Sequence, residues 1–244
     1  MTSWNYATAP DLDQSLSQRL SRFPRQPHLW MFVLRFLAAL FLRAWLKVWH
    51  RFSVKGRENL PLGESFVLVA NHQSHLDALC LKAGMPLREL HRTFPAAAAD
   101  YFFASLPASA FTAVVINGLP FDRKLDAEAS LARCRELLQT PGNVLILFPE
   151  GTRSADGELG RFRSGIGRLI EGTEVPVVPC YLEGAFEAFP KGSRFPRPRK
   201  LRLRIGEPLR FGELPPGRES VGTICGELQE AVAGLGGRLG VSRT

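Results

Sequence analysis

The sequence predicts an α/β domain with a central, largely parallel or mixed sheet and helices on both faces, preceded by one amphipathic helix. Three observations carry this. Short apolar runs alternate with helical patterns between residues 53 and 244. Polar clusters follow those runs, as they do where strands end at a ligand-binding rim. Ahead of them, Leu29 to Phe52 is rich in Trp, Phe and Leu, with Arg35, Arg43, Lys47 and Arg51 interspersed.

The chain has 244 residues, enough for one domain and an appendage, and its 45% hydrophobic content excludes general disorder. A net charge of +8 and a pI near 9.8 point to an anionic partner. Nucleic acid, an anionic membrane and a phosphorylated metabolite all fit that charge. Cys80, Cys134, Cys180 and Cys225 form no C-x-x-C and read as reduced, partly buried thiols of a reducing compartment.

Residues 1–27 read as a polar N-terminal arm, and Asp11 and Asp13 do not suit a secretory signal. Residues 28–52 read as an amphipathic, membrane-associating helix or hairpin. At 100° per residue its four cations fall within an arc of roughly 160°. Spanning a bilayer would hold Arg35 and Arg43 near the midplane, at about 2.5–3.5 kcal/mol each. Lying in the interface lets all four cations face headgroups, with Trp30, Trp45 and Trp49 at the boundary. The interfacial arrangement is therefore favoured over spanning. A helix packed only on its own domain is the plainer alternative.

Residues 53–244 read as one domain. Glu64–Ala70 is a buried strand, followed by a short helix from Ser74 to Lys82 that Gly84 and Pro86 close. Ala113–Ile116 is a second apolar run. Asp126–Gln139 is a helix with Leu131, Cys134, Leu137 and Leu138 on one face. Val144–Phe148 is a third strand, Gly165–Glu171 a glycine-rich helix, and Val175–Leu182 a fourth strand. Leu201–Ile205, with alternating Arg202 and Arg204, reads as an edge strand, and 220–235 as a closing helix.

If the strands run parallel, their polar clusters converge on one rim. His72 follows the first strand, with Asp77 five residues on. A histidine suits proton removal from an alcohol near neutral pH, and a carboxylate on its second nitrogen stabilises the imidazolium. Asp77 has a second role open to it, because Ser74-x-x-Asp77 fits a capping box. His75 competes with His72 as the base. Glu150-Gly151-Thr152-Arg153 supplies a flexible glycine, a hydroxyl and a guanidinium suited to a phosphate, and Arg123 could add a second cation. A local Glu150–Arg153 ion pair with a solvated Arg123 is the alternative. The sequence has no G-x-S-x-G, Walker A, H-E-x-x-H or metal-spaced Cys/His cluster.

Together these motifs resemble those of the glycerolipid acyltransferases, the 1-acyl-sn-glycerol-3-phosphate acyltransferase family. The N-H-x-x-x-x-D block is matched by Asn71, His72 and Asp77. A glycine-to-arginine block is matched loosely by Gly118, Phe121, Asp122 and Arg123. F-P-E-G-T-R-S is matched in full by residues 148–154, and V-P-V-x-P by Val175, Pro176, Val177 and Pro179. The resemblance implies transfer of a fatty acyl group from acyl-CoA or acyl-carrier protein to the free hydroxyl of lysophosphatidic acid or a related lysophospholipid. It implies His72 as general base, oriented by Asp77. It implies Arg123, Glu150, Gly151, Thr152, Arg153 and Pro179 around the acceptor, and no cofactor, metal or covalent acyl-enzyme. The implied partners are membrane lipids, the acyl donor and a glycerolipid acceptor, not nucleic acid. The implied location is peripheral or monotopic, on the cytoplasmic face of a membrane. Residues 94–111 depart from the commonest members of the family, which leaves another lipid-linked alcohol open as acceptor. A non-catalytic lipid-binding module of the same fold is the alternative of a different class. Finally, seven basic residues and no acidic one fall between 191 and 204, either a headgroup-binding patch or a solvated hairpin.

Overall fold

The computed structural model describes residues 29–98, 116–121 and 127–237. The polar arm, the run at 113–115 and Arg123 lie outside them. Seven strands form one sheet: β1 (Ser53–Lys55), β2 (Phe66–Ala70), β3 (Thr93–Ala98), β4 (Leu119–Phe121), β5 (Val144–Leu147), β6 (Val177–Glu183) and β7 (Arg202–Ile205). Their order is β1-β7-β6-β2-β5-β3-β4. β6, β2, β5, β3 and β4 pair in parallel, whereas β7 joins β6 antiparallel and carries β1 beside it. The sheet is thus mixed.

The helices are α1 (Leu29–Trp49), α2 (Leu76–Gly84), α3 (Ala127–Gln139), α4 (Ser164–Ile170), α5 (Ala185–Ala188) and α6 (Arg218–Leu235). Alternation along the strands splits the core between the two faces of the sheet. Phe66, Leu68, Ile146 and Leu182 pack against Leu46 of α1 and Leu76, Cys80 and Leu81 of α2. Val67, Val69 and Leu145 pack against Leu131 and Cys134 of α3, Ile166 and Leu169 of α4, and Ile224 and Leu228 of α6. Strand β2 is buried along its whole length, which is why it reads as an unbroken apolar run.

Three expectations change. β7 is not an edge: β1 shields it, and Arg202 and Arg204 pair with Glu183 across β6. β1, β3 and β4 were not anticipated, and β4 falls within the 118–123 cluster that was expected to follow a strand. β3 is Thr-Phe-Pro-Ala-Ala-Ala, whose proline and alanines carry little strand propensity, and β1 has only three residues. The helix after β2 starts at Leu76, two residues later than Ser74, because Gln73 and Ser74 give their amides to Asp77.

The largest revision concerns α1. Its cations do not all face outward. Arg35 is 4% exposed and bonds His91 Nδ1 at 3.3 Å, and Arg43 donates to the Met85 carbonyl. Burial pulls the Arg35 guanidinium down to about 10. Lys47 and Arg51 remain exposed. The domain has taken the place of water over much of the cationic face, and the opposite face is left bare. Trp30, Val33, Leu37, Phe41 and Val48 are all exposed there, Phe41 at 75% and Val48 at 81%, and Trp49 is exposed at the end of the helix. No helix among the described residues is long and apolar enough to cross a membrane.

Candidate active site

β2 and β5 are neighbours, but their following helices lie on opposite faces of the sheet. That is a topological switch point, where a crevice opens at the carboxyl ends of parallel strands. The turn after β2 carries His72, and the turn after β5 carries Phe148 to Ser154. Asn71 fixes the first turn. Its side-chain amide donates to the Leu182 carbonyl at 3.0 Å, and its Oδ1 accepts the Leu182 N–H at 2.8 Å. The buried Asn71 thereby extends the β2–β6 ladder with its side chain.

His72 and Asp77 come together across the turn. His72 Nδ1 donates to Asp77 Oδ2 at 2.9 Å. The same oxygen accepts the Gln73 N–H at 2.6 Å and the Ser74 N–H at 2.8 Å. Asp77 is 1% exposed, so three donors fix a buried carboxylate. It both orients the imidazole and caps the helix entrance; the two roles coexist. The ring of His72 stacks on Phe148, with centroids 4.1 Å apart and planes 16° from parallel. No described residue hydrogen-bonds Nε2, the nitrogen turned from the carboxylate.

The second turn is laced to the first. The Ser154 N–H donates to the His72 carbonyl at 2.8 Å. Glu150 accepts the His72 N–H at 2.7 Å through Oε1 and the Gly160 N–H at 2.9 Å through Oε2. Its carboxylate is thus turned onto backbone amides, and no ion pair joins it to Arg153. Burial raises the Glu150 pKa, against the opposing pull of those two N–H bonds. Gly151 has φ +73°, and a Cβ there would lie 2.8 Å from Arg163 Nε, which donates to the Glu150 carbonyl at 3.0 Å. Only glycine accommodates both constraints.

Thr152 and Arg153 lie on this turn beside the histidines. Burial first, then the Arg153 charge, then His72, lower the His75 pKa to about 4. His75 is therefore neutral at pH 7, and its ring leans on Phe189 at 6.1 Å. Pro179 is not at the rim. It lies inside β6, buried and opposite Val69, two residues before Asn71 opens the turn. Phe148, Gly160, Arg163 and Phe189 complete the surroundings. Of these only Phe148 belonged to a recognisable motif; the others arrive through loops of no fixed spacing.

A buried carboxylate, an imidazole with one nitrogen left without a described partner, and an adjacent glycine-arginine turn thus meet in one crevice. Residues 51–183 match the family model described as Acyltransferase. The chain is 30% identical over 217 residues to the 1-acyl-sn-glycerol-3-phosphate acyltransferase alpha of Mus musculus, covering 84% of this chain and 73% of that protein. It is 33% identical over 162 residues to a chloroplast 1-acyl-sn-glycerol-3-phosphate acyltransferase of Arabidopsis thaliana, covering 65% of this chain but only 43% of the relative. The crystal structure of the 1-acyl-sn-glycerophosphate acyltransferase PlsC from Thermotoga maritima superposes with a TM-score of 0.65 at 27% identity, covering 87% of this chain and 81% of that one. The chain belongs to the acyltransferase family.

Proposed function

We propose that the protein transfers a fatty acyl group from a thioester, acyl-CoA or acyl-carrier protein, to the free hydroxyl of lysophosphatidic acid or a related lysophospholipid. The observation that carries this is the His72–Asp77 pair at 2.9 Å beside the Glu150–Arg153 turn. His72 Nε2 takes the proton of the acceptor hydroxyl as its oxygen attacks the thioester carbonyl. The imidazolium that forms is stabilised by Asp77 and returns the proton to the departing thiolate. Arg153 and the amides around Gly151 hold the acceptor phosphate, with Arg123 as a further cation. Glu150 acts one step back, holding the backbone of His72 in place.

The bare face of α1 supports peripheral membrane attachment. Its exposed Trp30, Phe41, Val48 and Trp49 suit burial at a bilayer surface, and Arg35 and Arg43, turned onto the domain, no longer oppose it. The acceptor and product, both lipids, would then stay in the membrane throughout.

The test is a panel of lysophospholipid acceptors with labelled acyl-CoA and acyl-carrier protein, read by lipid mass spectrometry. Diacyl phospholipid is expected from the wild-type protein and not from His72→Ala, which should lose about 10²–10⁴-fold in rate. Equal turnover by the two would remove His72 from the chemistry.

A further inference from the structure

We propose that the segment from Lys191 to Lys200 is a second membrane contact, one that takes the phosphate headgroups of anionic lipids and sets the catalytic rim against them. The inference rests on the membrane reading of α1 and adds lipid selectivity to it.

Lys191, Arg194, Arg197, Arg199 and Lys200 are all exposed, and none forms an ion pair with a described residue. That separates them from Arg202 and Arg204, which share the Glu183 carboxylate. Within the segment, between Arg194 and Pro196, Phe195 is 80% exposed. Five cations around one projecting aromatic side chain match an interface of phosphates over hydrocarbon, where the ring enters and the charges stay at headgroup level.

The segment is also fixed in place. The Arg197 N–H donates to the Ala188 carbonyl at 2.7 Å, and the Leu201 N–H to the His50 carbonyl at 3.1 Å. His50 Nδ1 in turn bonds the Arg199 carbonyl at 3.0 Å. These bonds tie it to the C-terminal end of α1, where Lys47, Val48, Trp49 and Arg51 are exposed. The cationic strip thus borders the bare apolar face. At its other end, Phe189 touches His75 and its carbonyl accepts the Ser74 hydroxyl at 2.8 Å. A headgroup held on the strip lies next to the turn that bears His72.

An acidic carrier protein could use the same charge. The projecting Phe195 and the continuity with α1 favour the lipid surface.

The experiment is flotation of the full chain with vesicles of phosphatidylcholine alone and of phosphatidylcholine mixed with phosphatidylglycerol. Wild type is compared with a variant carrying Lys191→Gln, Arg194→Gln, Arg197→Gln, Arg199→Gln and Lys200→Gln. Each cation near an anionic surface contributes about fivefold in partitioning. Five such factors multiply to about 3,000-fold, and the variant should lose binding on that order on the mixed vesicles at low salt. It should bind phosphatidylcholine as wild type does, and keep its Tm and its turnover of a monomeric short-chain acceptor. Unchanged binding to the mixed vesicles overturns the proposal. So does a variant that floats normally but loses turnover with acyl-carrier protein alone, since the strip would then be a protein-docking surface. Flotation needs no turnover, so a chain that acylates nothing would count against the proposed function and leave this result standing.

Discussion

Glu150 separates two accounts of the turn after β5, one in which it touches substrate and one in which it holds the backbone. Replacing it with glutamine keeps size and shape. The glutamine has one carbonyl oxygen, so it can accept either the His72 or the Gly160 N–H, while its amide meets the other donor head-on. One charge-assisted bond is lost, about 1.5–3 kcal/mol, and one N–H is left without an acceptor at a site only 6% exposed. Relief from burying a carboxylate offsets part of this, since burial raises the Glu150 pKa. The net expectation is a loss of about 2–3 kcal/mol, or roughly 5–10 °C in Tm. Loosening the backbone of His72 should also lower kcat by about 10–100-fold, because a small misplacement of a reacting group is costly. The acceptor KM should change little. Thermal unfolding followed by circular dichroism, with initial rates across acceptor concentrations, reads all three. A variant with wild-type Tm whose whole effect falls on acceptor KM would refute the backbone role.

Asp77→Asn should reduce kcat by about 10²–10⁴-fold with little change in KM, because the amide no longer fixes the tautomer of His72; rapid turnover would exclude Asp77 as orienter. His75 gives a pH dependence. Its pKa falls from 6.5 to about 4 on folding, so below pH 6.5 the unfolded chain binds the extra proton more readily. Its contribution is whole above that pH and is lost as pH falls toward about 4, by about 1–2 kcal/mol once solvent screening of a half-buried group is allowed for. Denaturant unfolding at both ends of that window should show a smaller loss in His75→Asn than in wild type. Gly151→Ala should cost about 1–2 kcal/mol from its positive φ and displace Arg163, measured by the same unfolding. Phe41→Ser with Val48→Ser should weaken binding to neutral and anionic vesicles alike without lowering Tm, since neither side chain is buried; a fall in Tm would mean that this face packs on protein.

Much of this site was legible because its chemistry is local. His72 and Asp77 sit on one turn, and residues 148–154 on another, so each block survives as a string. The relation of Glu150 to His72 was not legible, because it depends on β2 and β5 lying side by side, which no spacing between the two blocks encodes. Pro179 misled for a related reason. The strand was read correctly over Val175–Leu182, but its motif implied a place beside the acceptor, and a residue in the body of a buried strand is set by its register with β2 rather than by its motif. For α1, the helical period separates the cationic from the apolar face but does not say which face the domain covers. Charge suggested that arginines stay outside. The Met85 carbonyl at the end of α2 and the ring of His91 receive them instead.

Helix α1 ends at Trp49, and the next residue, His50, holds the segment that leads back through Phe189 to His75. The end of α1 and the rim that bears His72 are therefore tied together through one segment. With α1 in a bilayer surface, an acceptor reaches His72 by travelling within that surface, and its effective concentration is a number per unit area. Diluting lysophospholipid with inert lipid in the same vesicle should then slow turnover. Diluting the whole suspension, while the protein stays bound, should not. Surface dilution becomes the natural variable for the rate law of this protein.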